Sequence, residues 1–282
     1  MTVSAHVTAL HFLKAGMHTL IQDAGRPGHQ ISGIPAGGAL DHASASAANW
    51  CVDNPEDAPV LEVTMIGPQI QFEGACQIAI TGADIGLLLD QEPVSRYKTI
   101  DVASGSTLTF AKLRSGCRAY LAVRGAWQVE PWLGSTSALS IGKADLVSGS
   151  TIKKGTVLTI KYSELLKTPL EYSKPIASWP DTQTIRVIAG PEFQSFSAQQ
   201  IAFFFNTLFT ITGESNRIGY RLFPALPEYV VEKEMLSSGI IPGTVQITRE
   251  GQPVILLADA QTTGGYPRIA NVLSKDLDLL GQ

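Results

Sequence analysis

The sequence predicts a mainly β fold with a few short helices, divided into two units. Three observations carry that expectation. The 282 residues exceed the usual size of one domain. The 26 glycines and 16 prolines punctuate apolar runs of strand length rather than long runs of helical period. Residues 166–184, LKTPLEYSKPIASWPDTQT, combine Pro169, Pro175 and Pro180 with scattered charges and no apolar period, as a linker does. The expected units are residues 1–170 and 171–282.

Taken in order, residues 7–13 alternate as a strand, and Lys14-Ala15-Gly16 ends it. Residues 19–38 then read as a long loop rich in glycine, carrying Asp23, Arg26 and His29. It has the composition of a binding loop, and the alternative is an Asp–Arg pair that fastens a turn. Asp41 suits the N-cap of an alanine-rich helix over 42–52, which carries Asn49. A lone helical asparagine usually faces solvent or caps something nearby. Short strands follow at 60–64, 69–72, 77–81, 86–89, 108–110 and 118–123. Turns such as Gly67-Pro68, Thr81-Gly82 and Ser104-Gly105-Ser106 separate them, and the pattern points to a barrel or sandwich. Gly134-Ser-Thr-Ser137 can cradle an anion but lacks the spacing of a P-loop. A strand at 157–161 closes the first unit.

The second unit opens with a strand at 185–188. Ser197-Ala-Gln-Gln200 has capping-box spacing, and the helix behind it aligns Ile201, Phe204, Phe205 and Leu208 as a core face. Arg217 and Arg221 flank Gly219 and Tyr220. Two arginines there can grip a carboxylate, or they can be surface charges on a turn. Strands at 244–248 and 253–258 lead to the stretch most suited to chemistry, in which Asp259, Gln261, Thr262 and Thr263 precede Gly264-Gly265. Polar groups on a strand exit are held by a rigid sheet yet face solvent. Paired glycines let backbone approach a ligand or take positive φ. Pro267 suits the first position of a last helix, packed through Ile269, Val272, Leu273, Leu277 and Leu280.

Composition excludes several classes. Net charge is −4, which gives no reason to expect nucleic acid or an anionic membrane as partner. Three cysteines with no C-x-x-C spacing speak against a disulfide framework or a zinc site, so no metal is expected. The first sixteen residues lack the basic start and apolar core of a signal peptide. No run approaches the roughly 20 apolar residues that span a bilayer. A cytoplasmic protein is expected.

Four blocks, IQDAGRPGHQISGIPAGGALD, AANWCVDNPEDAPVLEVTMIGP, SNRIGYRL and ADAQTTGGYPRI, resemble in order the signatures of one family. It is the biotin-dependent carboxyltransferase-like family, also called the KipA or allophanate-hydrolase-subunit-2 family, and the resemblance runs from Leu10 to Gln282. Within it the blocks look most like the C-subunit branch of bacterial 5-oxoprolinase. The resemblance implies two cyclophilin-like β-barrel units. It also implies ATP-dependent opening of 5-oxo-L-proline to L-glutamate with subunits A and B, a pair of KipI-like and LamB/YcsF-like chains. Asn49 and Asp259 fall on the positions expected at the urea pocket of urea carboxylases. The matched blocks also hold Asp23 and Arg26, then Arg217, Tyr220 and Arg221, then Gln261, Thr263, Gly264 and Gly265, as expected substrate contacts.

The chain departs from the family's pattern in three places. Arg124-Gly125-Ala126-Trp127 stands where a Gly-Gly pair is usual, Gly134–Ala138 lacks an arginine, and relatives continue past Gln282 into one more short strand. No Met-Lys-Met site occurs, so biotin is not expected on this chain. No nucleotide loop occurs either, so ATP is expected with or on a partner subunit. The resemblance leaves two further readings: a biotin-dependent carboxyltransferase acting on urea or a related amide, and a regulatory binding protein of the KipA type. Elementary chemistry suits an amide substrate. A carboxylate such as Asp259 can accept its N–H, and an amide such as Asn49 can donate to its oxygen.

Overall fold

The computed structural model describes residues 6–141, 144–173, 179–230 and 235–282. The chain forms two compact units, Met1–Arg26 with Gly37–Thr182 and Gly281–Gln282, and Pro27–Ala36 with Gln183–Leu280. Of the stretch read as a linker, Leu166 and Leu170 are hydrogen-bonded to Gln77 and Thr99 of the first unit. Residues 174–178 of it lie outside the described residues. The protein is mainly β, with three short helices among the described residues.

In the first unit a ten-stranded sheet runs in the order His18–Gln22, Val60–Thr64, Thr107–Val123, Gln69–Phe72, His6–Lys14, Val157–Tyr162 and Ala126–Trp127, with Cys76–Leu89 laid along Thr107–Val123. The sheet curls because those two long strands bend together. Their register slips between Gly82 and Asp84 and again before Leu87. Four expected short strands are therefore two long ones. Thr81-Gly82 reads as a turn, yet Gly82 and Gly116 take positive φ (80° and 78°) inside the strands and make bulges. His18–Gln22, expected as loop, is also a strand, paired with Val60–Thr64. Leu10, Phe12, Ile70, Phe72, Ile78, Ile80 and Leu121 close the core beneath the sheet, each essentially inaccessible to water. Truncating Phe72 to alanine would cost about 3–5 kcal/mol.

Helix α1, His42–Cys51, starts where the sequence predicts. The Asp41 carboxylate accepts from Ser44 N at 2.8 Å. Its small residues, Ala45 and Ala48, let it lie close over Ala79, Tyr120 and Ala122 of the sheet.

The second unit holds a six-stranded antiparallel sheet: Val187–Ala189, Arg268–Val272, Thr244–Ile247, Pro253–Leu256, Gly219–Phe223 and Thr210–Ile211. Helix α2, Ala198–Asn206, begins with the predicted capping box, Gln200 N donating to Ser197 Oγ at 3.2 Å and Ser197 N to Gln200 Oε1 at 3.0 Å. Its apolar face is not the expected core. Phe205 is 53% exposed and Leu208, just beyond the helix, 72%. The rings pack on one another instead, Phe204 against Phe205 and Phe209, and Phe193 against Phe205. The last helix is shorter than expected. Arg268–Val272 is a strand and only Ser274–Leu280 forms α3, because residues 268–272 find ladder partners on both sides.

Candidate functional site

The strand Pro253–Leu256 delivers Asp259 to its place. Past the strand the chain still runs beside its neighbour, Leu257 N donating to Ile218 O at 2.9 Å and Asp259 N to Arg217 O at 3.1 Å. That backbone bond brings the side chains together. Arg217 Nε donates to Asp259 Oδ2 at 2.7 Å and Nη2 to Oδ1 at 3.0 Å, a bidentate pair. The predicted carboxylate grip exists, and the carboxylate is the protein's own. Arg217 is 5% exposed and Asp259 16%. Each carboxylate oxygen has about two lone-pair sites, so each keeps one for a ligand. The guanidinium fixes the plane of the carboxylate.

The rest of the block lies just beyond. Gln261 and Thr263 are exposed, and Thr263-Gly264 pairs with Ser238-Gly239 in a two-stranded ribbon. Neither Gly264 nor Gly265 is among the positive-φ glycines. A Cβ at Gly264 would sit 2.5 Å from Nε2 at the end of the Gln246 side chain, so this glycine faces the protein's own interior. Tyr220 is buried in the strand Gly219–Phe223, which Arg217 precedes. Arg221 is the other kind of arginine: exposed, 3.2 Å from Gln252 Oε1 and 3.8 Å from Glu214.

Asp23 and Arg26 lie in the first unit, with Asn49. At Asp23, Oδ1 accepts from Gly25 N (2.8 Å), Ser135 Oγ (2.6 Å) and Ser137 Oγ (2.5 Å), and Oδ2 from Thr136 N (2.6 Å) and Thr136 Oγ1 (3.0 Å). Gly134-Ser-Thr-Ser137 is the anion cradle its composition suggests, filled by Asp23. Burial would raise this carboxyl, but the bonds from Ser135, Ser137, Gly25 and Thr136 outweigh it and hold its pKa below the ordinary carboxylate value. Arg26, 1% exposed, grips the same segment through its carbonyls, Nη2 donating to Ser137 O at 2.5 Å, with its guanidinium 5.4 Å from the Trp132 ring centroid. Both residues therefore clamp 132–137.

Asn49 is fully buried. Its Nδ2 donates to Ala58 O at 2.7 Å and Glu56 O at 3.4 Å, and its Oδ1 accepts from Asn54 at 3.4 Å. The amide is spent on the loop that follows α1.

A family model, the carboxyltransferase domain with subdomains A and B, matches residues 32–282. The chain belongs to that carboxyltransferase family. The C subunit of the Escherichia coli 5-oxoprolinase is 37% identical over 274 residues, which are 97% of this chain and 87% of that protein. Urea amidolyase of Saccharomyces cerevisiae is 33% identical over 98% of this chain, though this is 16% of its own length. The crystal structure of the Kluyveromyces lactis urea carboxylase matches with a TM-score of 0.84 at 29% identity, over 97% of this chain and 26% of that one.

In this carboxyltransferase-family chain, sequence reasoning missed a second polar centre in the first unit. Glu62, 1% exposed, accepts from Leu40 N at 2.9 Å and Tyr120 OH at 3.0 Å, and lies 3.5 Å from Arg118 Nε. Tyr120 OH in turn accepts from Asp41 N at 2.8 Å. Burial first, then the charges of Glu62 and Asp41, push the Tyr120 hydroxyl well above its usual pKa. The signal was a glutamate in the middle of the apolar strand Val60-Leu-Glu-Val-Thr64. Buried charge in such a strand needs a partner.

Proposed function

We propose that the chain is the C subunit of an ATP-dependent 5-oxoprolinase, which opens 5-oxo-L-proline to L-glutamate together with A and B subunits. The observation that carries the reading is the Arg217-held Asp259, a carboxylate with lone pairs to spare on a rigid strand exit. It stands in a chain that matches the Escherichia coli 5-oxoprolinase C subunit over 87% of that protein. In this reading Asp259 accepts the lactam N–H, orients the ring and raises the electron density on its carbonyl oxygen, the atom that coupling to ATP would turn into a leaving group. A hydrogen bond of that kind contributes roughly 1.5–3 kcal/mol. Arg217 positions Asp259, and Gln261, Thr263 and the Gly264-Gly265 backbone line the approach. Asp23, Arg26 and Asn49 serve as scaffold of the first unit. The cyclophilin-like barrel character of each unit is part of the same reading.

ATP belongs to a partner. The donors of Gly134–Ser137 hold Asp23 and are not open to a phosphate, so no step is assigned to nucleotide on this chain. The B subunit is the expected direct neighbour and the A subunit completes the enzyme, in the cytoplasm. Among the described residues no helix is long and apolar enough to cross a membrane.

Reconstitution tests the proposal. With the A and B subunits, this chain and ATP, 5-oxoproline should yield glutamate, and omission of this chain should abolish release. Unchanged release without it would overturn the assignment and leave the regulatory KipA-type reading ahead. Avidin-sensitive carboxyl transfer to urea would favour the carboxyltransferase reading.

A further inference from the structure

One side chain of the first unit is held as a ligand is held. Gln282 Oε1 accepts from the backbone N–H of Cys117 at 3.1 Å and of Arg118 at 3.2 Å. Its Nε2 donates to Asp41 Oδ2 at 2.8 Å and to Arg118 O at 2.9 Å. A primary carboxamide has two acceptor sites and two N–H donors, and all four are met. The orientation is fixed by chemistry. A flipped amide would set N–H against N–H and oxygen against a carboxylate.

The slot is built by the bulge that bends the sheet. Pairing passes from Gly82↔Ala119 to Asp84↔Ser115, which leaves residues 116–118 opposite Ala83 alone. The Cys117 and Arg118 N–H groups are thereby turned away from that ladder and aimed at one oxygen. Both glycines of the bulge lie against the amide. A Cβ on Gly116 would fall 2.7 Å from Gln282 Oε1 and 2.8 Å from Trp179 Cδ1, and one on Gly82 3.2 Å from Nε2. Asp41 is 1% exposed, and its acceptor oxygen is oriented by Ser44 Oγ at 2.6 Å. A buried carboxylate, a pair of convergent N–H groups and a carbonyl make an amide-shaped receptor.

We propose that this slot is a binding site for an unsubstituted carboxamide, R–CO–NH2, which Gln282 fills from within the chain and a free carboxamide can fill in its place. The class follows from the nitrogen side. Asp41 and the Arg118 carbonyl each take one N–H, so the ligand needs two. A lactam or an N-alkyl amide has one, and so forfeits the bond to either Asp41 or the Arg118 carbonyl. The slot therefore rejects 5-oxoproline, and it neither uses Asp259 nor depends on the catalytic assignment above.

The test uses the full chain with Gln282→Ala, which empties the slot and leaves the backbone in place. Propionamide, the free equivalent of the glutamine side-chain end, is titrated while the amide resonances of Cys117 and Arg118 are followed by NMR. The variant should show saturable shifts at both, and the unsubstituted protein should bind at least about ten-fold more weakly because its own amide competes. N-methylpropionamide and 2-pyrrolidinone should bind the variant roughly ten- to hundred-fold more weakly than propionamide, the factor expected for one lost bond to a charged or buried acceptor. Should the alanine variant fail to fold, Gln282→Asn, which retracts the amide by one methylene, replaces it. A folded variant with no saturable shift would show that Gln282 is an internal anchor only, and equal affinity for propionamide and its N-methyl derivative would also overturn the proposal.

Discussion

Asp23 and Asp259 are both acids of polar, glycine-flanked motifs, and they are used in opposite ways. Asp23 is surrounded by donors from Gly25, Ser135, Thr136 and Ser137, five bonds on a group with about four lone-pair sites. It has nothing left to offer a substrate. Among the described residues only Arg217 donates to the Asp259 carboxylate, which keeps capacity on both oxygens. Saturation, not burial or motif membership, separates an acid that holds a fold from one that can handle a ligand.

Asp259→Asn should sharpen the contrast most. Glutamate release in the assembled enzyme should fall about 10²–10⁴-fold, the usual loss for a positioned acid or base, while circular dichroism stays that of the folded chain. Near-normal turnover would make Asp259 a second structural acid. Asp23→Ala should act on stability instead. Four residues lose the acceptor they converge on, and chemical denaturation should show a loss of about 3 kcal/mol.

The acid limb gives an independent reading of Asp23. Its folded pKa lies below the unfolded value of about 3.9. Its contribution is therefore fully present above that value and lost as pH falls through the folded pKa. The stability gap between the unsubstituted protein and Asp23→Asn should stay constant from pH 7 to 5 and narrow below pH 4. A gap that widened on acidification would contradict the assigned sign.

Local chemistry was legible in the sequence, and distant pairing was not. The Asp41 cap and the Ser197–Gln200 capping box depend on residues three apart, and both form as read. Gly134–Ser137 was recognisable as a cradle, but its anion comes from more than a hundred residues earlier. Gly82 and Gly116 have the look of turns, and only cross-strand register turns them into bulges. Ile201, Phe204, Phe205 and Leu208 have helical spacing, which says they share a face and not what covers it. Glu62 and Arg118 sit in separate strands, so their pairing and the carboxamide slot beside it required the fold.

Two smaller effects extend the comparison. Asn49→Ala should cost about 1–3 kcal/mol of stability by freeing the carbonyls of Glu56 and Ala58. A raised KM without destabilisation would return Asn49 to the substrate. Arg221→Ala should change stability by less than about 0.5 kcal/mol, since its ion pair with Glu214 is exposed. A clear KM effect there would place Arg221 at the site after all.

The most direct test sets the two acids side by side in the reconstituted enzyme, at a temperature where every variant is folded. The kcat for glutamate release and the denaturation midpoint are measured for Asp23→Asn and Asp259→Asn in parallel. Asp259→Asn should lose turnover by at least about a hundred-fold, while Asp23→Asn should lose midpoint and keep turnover within a few-fold. The reverse outcome, with turnover lost at Asp23 and kept at Asp259, would contradict these roles.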